Sequence, residues 1–398
     1  MNRLPRVSRR TVLSGMAGAG AIAVSGCGAS DAVTGRISAA TPTSHVPSPG
    51  LDALARRSGR RFGSAMASNT RRPDSGSVQN PAYAAIVDGE CSVVVAENEM
   101  KWQALRPDPE TFDFSRFDAI VAWAQTHGKN VRGHTLLWHR PQWFPEWLNN
   151  YDFGANPVQE AERLVTEHIR AVTDRYRGII YSYDVVNEAI DHDRNATIET
   201  SLSRAMGSPE AVLDLAYHTA REAVPDVQLV YNDYMSWEPA HRKHCDDVLR
   251  LLEGFRKRGT PVDALGIQSH IEMYELDPAS GLGRYAEAEW RRFLDEVVGM
   301  GYKLEITEFD VKDKALPSDI AVRDAAVAEY AQRYFDLMLE YEELGDIVAW
   351  GMVDRFNWLQ GFAPRDDGLE VRGCPYGSDY RPHPLRDAIA QSFTAAAS

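Results

Sequence analysis

Cysteine is scarce in this chain: four in 398 residues, at positions 27, 91, 245 and 374. No C-x-x-C pair occurs, so neither a cysteine-based metal site nor a disulfide framework is indicated. Long apolar runs are also missing; the best candidate, Thr11 to Val24, is too short to span a bilayer. Positive charge is in deficit, with 43 Lys and Arg against 57 Asp and Glu and a formal net charge of −14. Such a surface repels nucleic acid phosphates and anionic headgroups, so neither is an expected partner, whereas neutral ligands such as sugars remain open. No internal repeat is found. No Gly-rich phosphate turn follows the first strand-like run, which counts against a doubly wound nucleotide-binding sheet.

What is present begins with the N-terminus. Four Arg stand in the first ten residues, followed by the mild apolar run. Arg9-Arg10 precede it as in twin-arginine export signals. "VSGC", Val24 to Cys27, resembles a bacterial lipobox, in which Cys27 becomes the lipidated N-terminus. The expected organisation is an export signal over 1–26, a flexible Ser/Thr/Pro/Gly tether over 27–50 and one folded domain over 51–398. Membrane contact is expected only through that lipid anchor, on the outer face of the cell membrane; without it the protein is secreted. Nine Trp and sixteen Tyr are generous, as core filling or as faces for pyranose rings.

The domain alternates between two periods. Strand-like runs fall near Arg61–Ala65, Ser92–Ala96, Asn130–Leu136, Tyr181–Val186, Gln228–Tyr231, Ala264–Gln268, Lys303–Thr307 and Ile347–Met352. Amphipathic stretches lie between them, among them Ser115–His127, Pro157–Arg177, Pro209–Val224, Glu238–Arg258, Tyr285–Met300 and Ile320–Leu344, mostly closed by Gly. The acidic "LEYEEL", Leu339–Leu344, reads as the solvated end of the last of these. Strand and helix alternating about eight times predict an α/β fold, a (β/α)8 TIM barrel, over an open sheet.

In such a barrel the C-terminal strand ends share one mouth. They carry Glu97, Asn98 and Lys101; His134, Trp138 and His139; Asn187 and Glu188; Asn232 and Tyr234; Gln268 and His270; Glu308 and Asp310; Trp350 and Trp358. Glu188 and Glu308, on the fourth and seventh strands, face each other across the mouth. Two carboxyl groups about 5–5.5 Å apart serve retaining glycoside hydrolysis, one as nucleophile and one as acid and base. Asn187 is suited to donate to a sugar hydroxyl. Read alone, His134 and His139 also fit satisfied core histidines. His134, His139, His270 and Asp310 are the residue types of a metallohydrolase as well. However, "HTLLWH" lacks H-x-H or H-E-x-x-H spacing, so no catalytic metal and no cofactor are expected.

The ordered motifs "AENEMKW", "GHTLLWH", "DVVNEA", "YNDY", "GIQSH", "ITEFDV" and "WGMVDRFNW" resemble glycoside hydrolase family 10, the retaining endo-β-1,4-xylanases. The resemblance implies Glu188 as acid/base and Glu308 as nucleophile. It implies His134, Asn187, Gln268 and His270 around the reacting sugar, with Asp310 orienting His270. Glu97, Asn98 and Lys101 would bind the neighbouring sugar, and Trp138, Trp350 and Trp358 would form apolar walls. The implied partner is xylan or a xylo-oligosaccharide, acted on by a monomer.

Two positions depart from the family's pattern. Where it reads W-H-S-Q, this chain reads "WHRPQWFPEW": either Pro141 replaces the sugar-binding Gln or Gln142 supplies it through a longer loop. Leu359 stands where the family commonly has Arg. The rival readings are a related retaining β-glycosidase and a non-catalytic carbohydrate-binding lipoprotein. The second would not need both glutamates.

Overall fold

The computed structural model describes residues 46–191 and 193–397. The expected export signal, Cys27 and most of the tether lie outside these residues. The end of the tether does not. Val46 packs against the core, and Gly50 precedes a short helix, Leu51–Ala55.

Eight parallel strands close into a barrel: β1 Arg61–Met66, β2 Val93–Ala96, β3 Asn130–Trp138, β4 Ile180–Asn187, β5 Gln228–Asp233, β6 Ala264–Ile267, β7 Lys303–Lys312 and β8 Leu344–Ala349. Each pairs with its sequence neighbours, and β8 pairs with β1 to complete the ring. Helices follow the strands in turn: α1 Pro81–Glu90, α2 Ser115–Thr126, α3 Pro157–Arg175, α4 Pro209–Ala223, α5 Arg242–Arg258, α6 Glu287–Gly299, α7 Ile320–Met338 and α8 Pro384–Ala396. Their starts are written in the sequence. Asn80, Ser208 and Asp319 accept hydrogen bonds from the first-turn amides of α1, α4 and α7. Pro at the first position opens α1, α3, α4 and α8, where a missing N–H costs nothing. Among the described residues no helix is long and apolar enough to cross a membrane.

The main apolar core lies between the strand ring and the helices, built from outward side chains such as Phe62, Val94, Tyr183, Tyr231 and Ile306 and the facing helix stripes. The barrel interior is largely polar instead. Arg132 on β3 forks onto Asp184 on β4 at 2.7 and 2.5 Å. Gln228 on β5 donates to Glu305 on β7 at 2.7 Å, and Tyr181 on β4 reaches across to Asp346 on β8. Charges this deep survive only when paired: Arg132 pairs with Asp184 and Arg61 with Asp346, whereas Glu305 is held by the neutral Gln228 amide. Burial, with Asp346 close by, pushes the Glu305 carboxyl up to about 8. Cys91, Cys245 and Cys374 are buried free thiols.

One expectation is corrected here. Helix α7 stops at Met338, and "LEYEEL" is not its solvated end: Leu339–Glu343 turn, and Leu344 already begins β8. Arg60 explains the break, because its Nη2 takes the Leu339 and Tyr341 carbonyls at 3.0 and 2.8 Å. Strand β8 accordingly starts and ends three residues before the expected Ile347–Met352, and Gly351 turns the chain at φ 106°.

Candidate active site

Strand register assembles the mouth. Trp138 on β3 lies beside Asn187 on β4, and Asn187 beside Asn232 on β5. Past Asn187 the chain bends: Glu188 has φ 51°, and its amide donates to the Asn232 carbonyl at 2.9 Å. The left-handed backbone swings the glutamate off the strand line and over the mouth. Across it, the Glu308 amide donates to the Gln268 carbonyl at 3.0 Å, and Asp310 pairs in register with His270.

The two glutamates are joined through amides. Gln268 Nε2 donates to Glu188 Oε1 at 2.9 Å and to Asn187 Oδ1 at 3.3 Å. Asn232 Nδ2 donates to Asn187 Oδ1 at 2.9 Å and to Glu308 Oε1 at 2.7 Å. Thr307 donates to Asn232 Oδ1 at 2.6 Å, which fixes that amide. With the Asn232 nitrogen committed to Glu308, Asn187 must turn its oxygen to both donors, leaving its Nδ2 for a ligand.

The environments of the two carboxyls differ. Burial pushes Glu188 up; Arg140 opposes this, Asp233 and Glu308 add to it, and the net direction is up. Burial also acts on Glu308, but His134, the hydrogen bond from His270 and the Lys101 charge outweigh it and hold that carboxyl below its ordinary value. His270 Nδ1 meets Asp310 Oδ1 at 2.8 Å and its Nε2 faces Glu308 Oε2 at 3.3 Å. Although burial disfavours its charge, these two carboxylates raise His270 to about 9. Trp358 Nε1 at 2.7 Å and Asn357 Nδ2 at 3.3 Å hold the other Asp310 oxygen. His134 Nδ1 lies 2.8 Å from Asp184 Oδ2 and 3.9 Å from Glu308 Oε1.

At the adjoining edge, Lys101 Nζ donates to Asn98 Oδ1 at 2.9 Å and sits 4.6 Å from the Trp138 ring centre. Burial lowers the ammonium against the pull of Glu308, Glu97 and Glu188, and burial raises Glu97 against the pull of Lys101. Trp350 meets His134 edge to face at 5.2 Å. Trp358 tilts over His270 at 4.9 Å.

Three expectations need correction. Among the described residues no hydrogen bond ties the Gln142 side chain to the mouth. Gln142 lies exposed on a one-turn helix, Pro141–Trp143, because Pro141 and the anchored Arg140 aim the turn outward. Trp143, 40% exposed, stacks on Trp138 at 4.5 Å and extends that wall instead. Trp138 is more than an apolar wall, since its indole donates to Glu188 Oε2 at 3.0 Å. His139 supports no reacting group: it points away, Nε2 to the Ile198 carbonyl at 3.0 Å, and burial lowers it to about 4. Leu359, where a charge was the common choice, is fully buried in a short helix, Leu359–Phe362.

Sequence reasoning missed Arg140, Asp184, Asp233, Thr307 and Asn357. Arg140 carried a signal, a charge inserted at the point of departure "WHRPQW"; the others carry none separable from ordinary strand polarity. Among the described residues no group of three or more His, Cys, Asp or Glu is arranged to hold a metal ion. The histidines of the mouth each direct Nδ1 at a carboxylate.

Comparison with known proteins agrees in kind. The model of the family described as Glycosyl hydrolase family 10 matches residues 50–392. Endo-1,4-beta-xylanase C of Paenibacillus barcinonensis is 33% identical over 288 residues, covering 68% of this chain and 25% of its own length. Endo-1,4-beta-xylanase B of the same organism is 32% identical over 283 residues, covering 68% of this chain and 80% of itself. Among solved structures, xylanase 10B from Thermotoga petrophila RKU-1 in complex with xylobiose superposes with a TM-score of 0.75 at 26% identity, covering 89% of this chain and 100% of that one.

Proposed function

The chain belongs to glycosyl hydrolase family 10, and from that membership we propose that it is a retaining endo-β-1,4-xylanase. Glu308 is the nucleophile and Glu188 the acid and base. The observation that carries the reading is the opposite bias of two carboxyls linked through Gln268, Asn187 and Asn232. A pair pushed apart in this way divides the roles.

In the first step a Glu308 oxygen attacks the anomeric carbon as the glycosidic C–O bond breaks. Glu188 gives its proton to the leaving oxygen. In the second, ionised Glu188 takes a proton from water, whose oxygen displaces Glu308 and regenerates both groups. His270, charged between Asp310 and Glu308, favours the nucleophile's ionised form. The Asn187 Nδ2 donates to the sugar hydroxyl next to the reacting carbon, and Lys101, Asn98 and Glu97 hold the following sugar. Trp138, Trp350 and Trp358 bound the rings. Two named relatives are called xylanases, and a solved relative is described with xylobiose, which supports xylan or a xylo-oligosaccharide as substrate.

The test is hydrolysis of xylan against a panel of aryl β-glycosides, with products sized. Internal cleavage of xylan into short oligosaccharides is expected; activity confined to aryl β-glucosides would favour the rival β-glycosidase. We also propose that the protein is a monomer and that it is exported and tethered to the outer face of the membrane through lipid on Cys27; the export and the anchor rest on "SRRTVL" and "VSGC" alone. Cys27→Ser should move it from the membrane fraction to soluble material. Wild-type protein in the cytoplasm with an intact N-terminus would rule this out.

A further inference from the structure

Arg140 stands two residues past Trp138, where β3 has ended. Its side chain is 17% exposed. Its Nε donates to the Glu188 carbonyl at 3.1 Å and lies 3.1 Å from Glu188 Oε2. Its Nη2 donates to the Ile190 carbonyl at 3.0 Å and to the Tyr234 hydroxyl at 3.3 Å. The guanidinium also covers the Tyr234 ring, 5.3 Å from its centre. One cation therefore grips both the backbone and the carboxylate of Glu188. That backbone needs a grip, because φ 51° is costly for a residue with a side chain.

Other charged and titratable groups act on the same carboxylate. Asp233 and Tyr234 do so from the end of β5, Glu308 from β7 and Lys101 from beyond β2. Asp233 is itself shared with His244, at 3.1 Å, and with the Tyr231 hydroxyl, at 2.5 Å. Trp138 and Gln268 add neutral donors. Among the described residues Arg140 is the cation within ion-pair distance of Glu188.

We propose that Arg140 is a positioning residue for the acid/base: it pins the turn at Glu188 through two carbonyls and, by its charge, sets the upper pH limit of the reaction. This rests on the reading of Glu188 given above. The first step needs the protonated carboxyl and the second its ionised form. A cation beside Oε2 favours the ionised form, so Glu188 gives up its proton at a lower pH than burial alone would dictate. Arg140 thereby narrows the pH range in which the first step finds its protonated carboxyl and widens the range in which the second finds its carboxylate.

The experiment is the pH profile of kcat/KM on a xylo-oligosaccharide for wild type, Arg140→Gln, Arg140→Ser and Arg140→Lys, with unfolding midpoints measured alongside. In both neutral variants the alkaline limb should move up by about one pH unit. Arg140→Lys should keep the limb in place while its plateau falls on the order of tenfold, because one ammonium cannot span two carbonyls and a carboxylate. A limb that stays put in the folded neutral variants, whatever the plateau does, overturns the proposal and leaves Arg140 a loop brace. Glu188→Gln on an aryl xyloside with a good leaving group separates the two failures. If the alkaline limb survives there, the acid/base assignment falls. If it vanishes there but is unmoved by Arg140→Gln, only the inference about Arg140 falls.

Discussion

Asp310→Asn isolates the charge on His270, which favours the ionised form of Glu308, the proposed nucleophile. Asp310 Oδ1 receives His270 Nδ1 at 2.8 Å, while Oδ2 receives Trp358 at 2.7 Å and Asn357 at 3.3 Å. An asparagine must keep its oxygen toward the two donors. Its nitrogen then faces His270 Nδ1, which has to become an acceptor. The histidine is left neutral, still donating from Nε2 to Glu308. The hydrogen bond survives and the charge does not. Histidine ordinarily titrates near 6.5, and His270 sits at about 9, so the charged form is favoured by on the order of 3 kcal/mol. Not all of that reaches catalysis, since His134 and Lys101 also act on Glu308. We expect about 1–3 kcal/mol, a loss on the order of 10- to 100-fold in kcat/KM at neutral pH. The acid limb should move up, because Glu308 loses a neighbouring cation. Stability should respond with the sign of a raised histidine: the contribution is present below about pH 6.5 and lost as pH rises through about 9. The assay is kcat/KM against pH on an aryl xylobioside with a good leaving group, where the nucleophile's step is read directly. A lowered plateau with an unmoved acid limb would refute the reasoning, because His270 would then act as a neutral donor in the wild type.

Gln142→Ala should match wild type on every substrate, whereas Trp143→Ala should raise KM for longer xylo-oligosaccharides by the equivalent of about 0.5–1.5 kcal/mol, the scale of an aromatic stack; inverted results would return Gln142 to the site. His168 stacks on Trp102 at 4.0 Å, and burial, helped by Arg106, lowers it to about 3. The unfolded chain therefore takes up this proton first, and stability present above about pH 6.5 is lost as pH falls toward about 3. His168→Phe keeps the stack without the titration, so its unfolding midpoint should fall less than wild type's between pH 7 and pH 4.5; parallel curves would contradict this. Activity should persist in the presence of a chelator, and a stoichiometric metal whose removal abolishes hydrolysis would show that the mouth works differently.

The barrel was legible because its signals are local. Alternating strands, Pro and Asn, Ser or Asp at helix starts and Gly at helix ends each follow from neighbouring residues. The polar strand ends could be read as one mouth because closure of the ring brings them together. What stayed hidden depends on distant partners. The end of α7 is set by Arg60, which caps the Leu339 and Tyr341 carbonyls from the other end of the chain. His139 has the same local appearance as His134, yet one faces Ile198 and the other Asp184. Gln142 was the reasonable amide to assign to the site. Arg140 takes the position beside Glu188 instead, and only the three-dimensional course of the loop reveals it.

As the proposed nucleophile, Glu308 should form a covalent bond to the sugar. The direct measurement is peptide mapping by mass spectrometry after incubation with a 2-fluoro xylobioside bearing a good leaving group, which slows release of the intermediate more than its formation. One fluoroxylobiosyl group per chain is expected on the peptide containing Glu308, formed as activity is lost and absent in Glu308→Ala. A label on Glu188 or another residue, or full hydrolytic activity in Glu308→Ala, would contradict it.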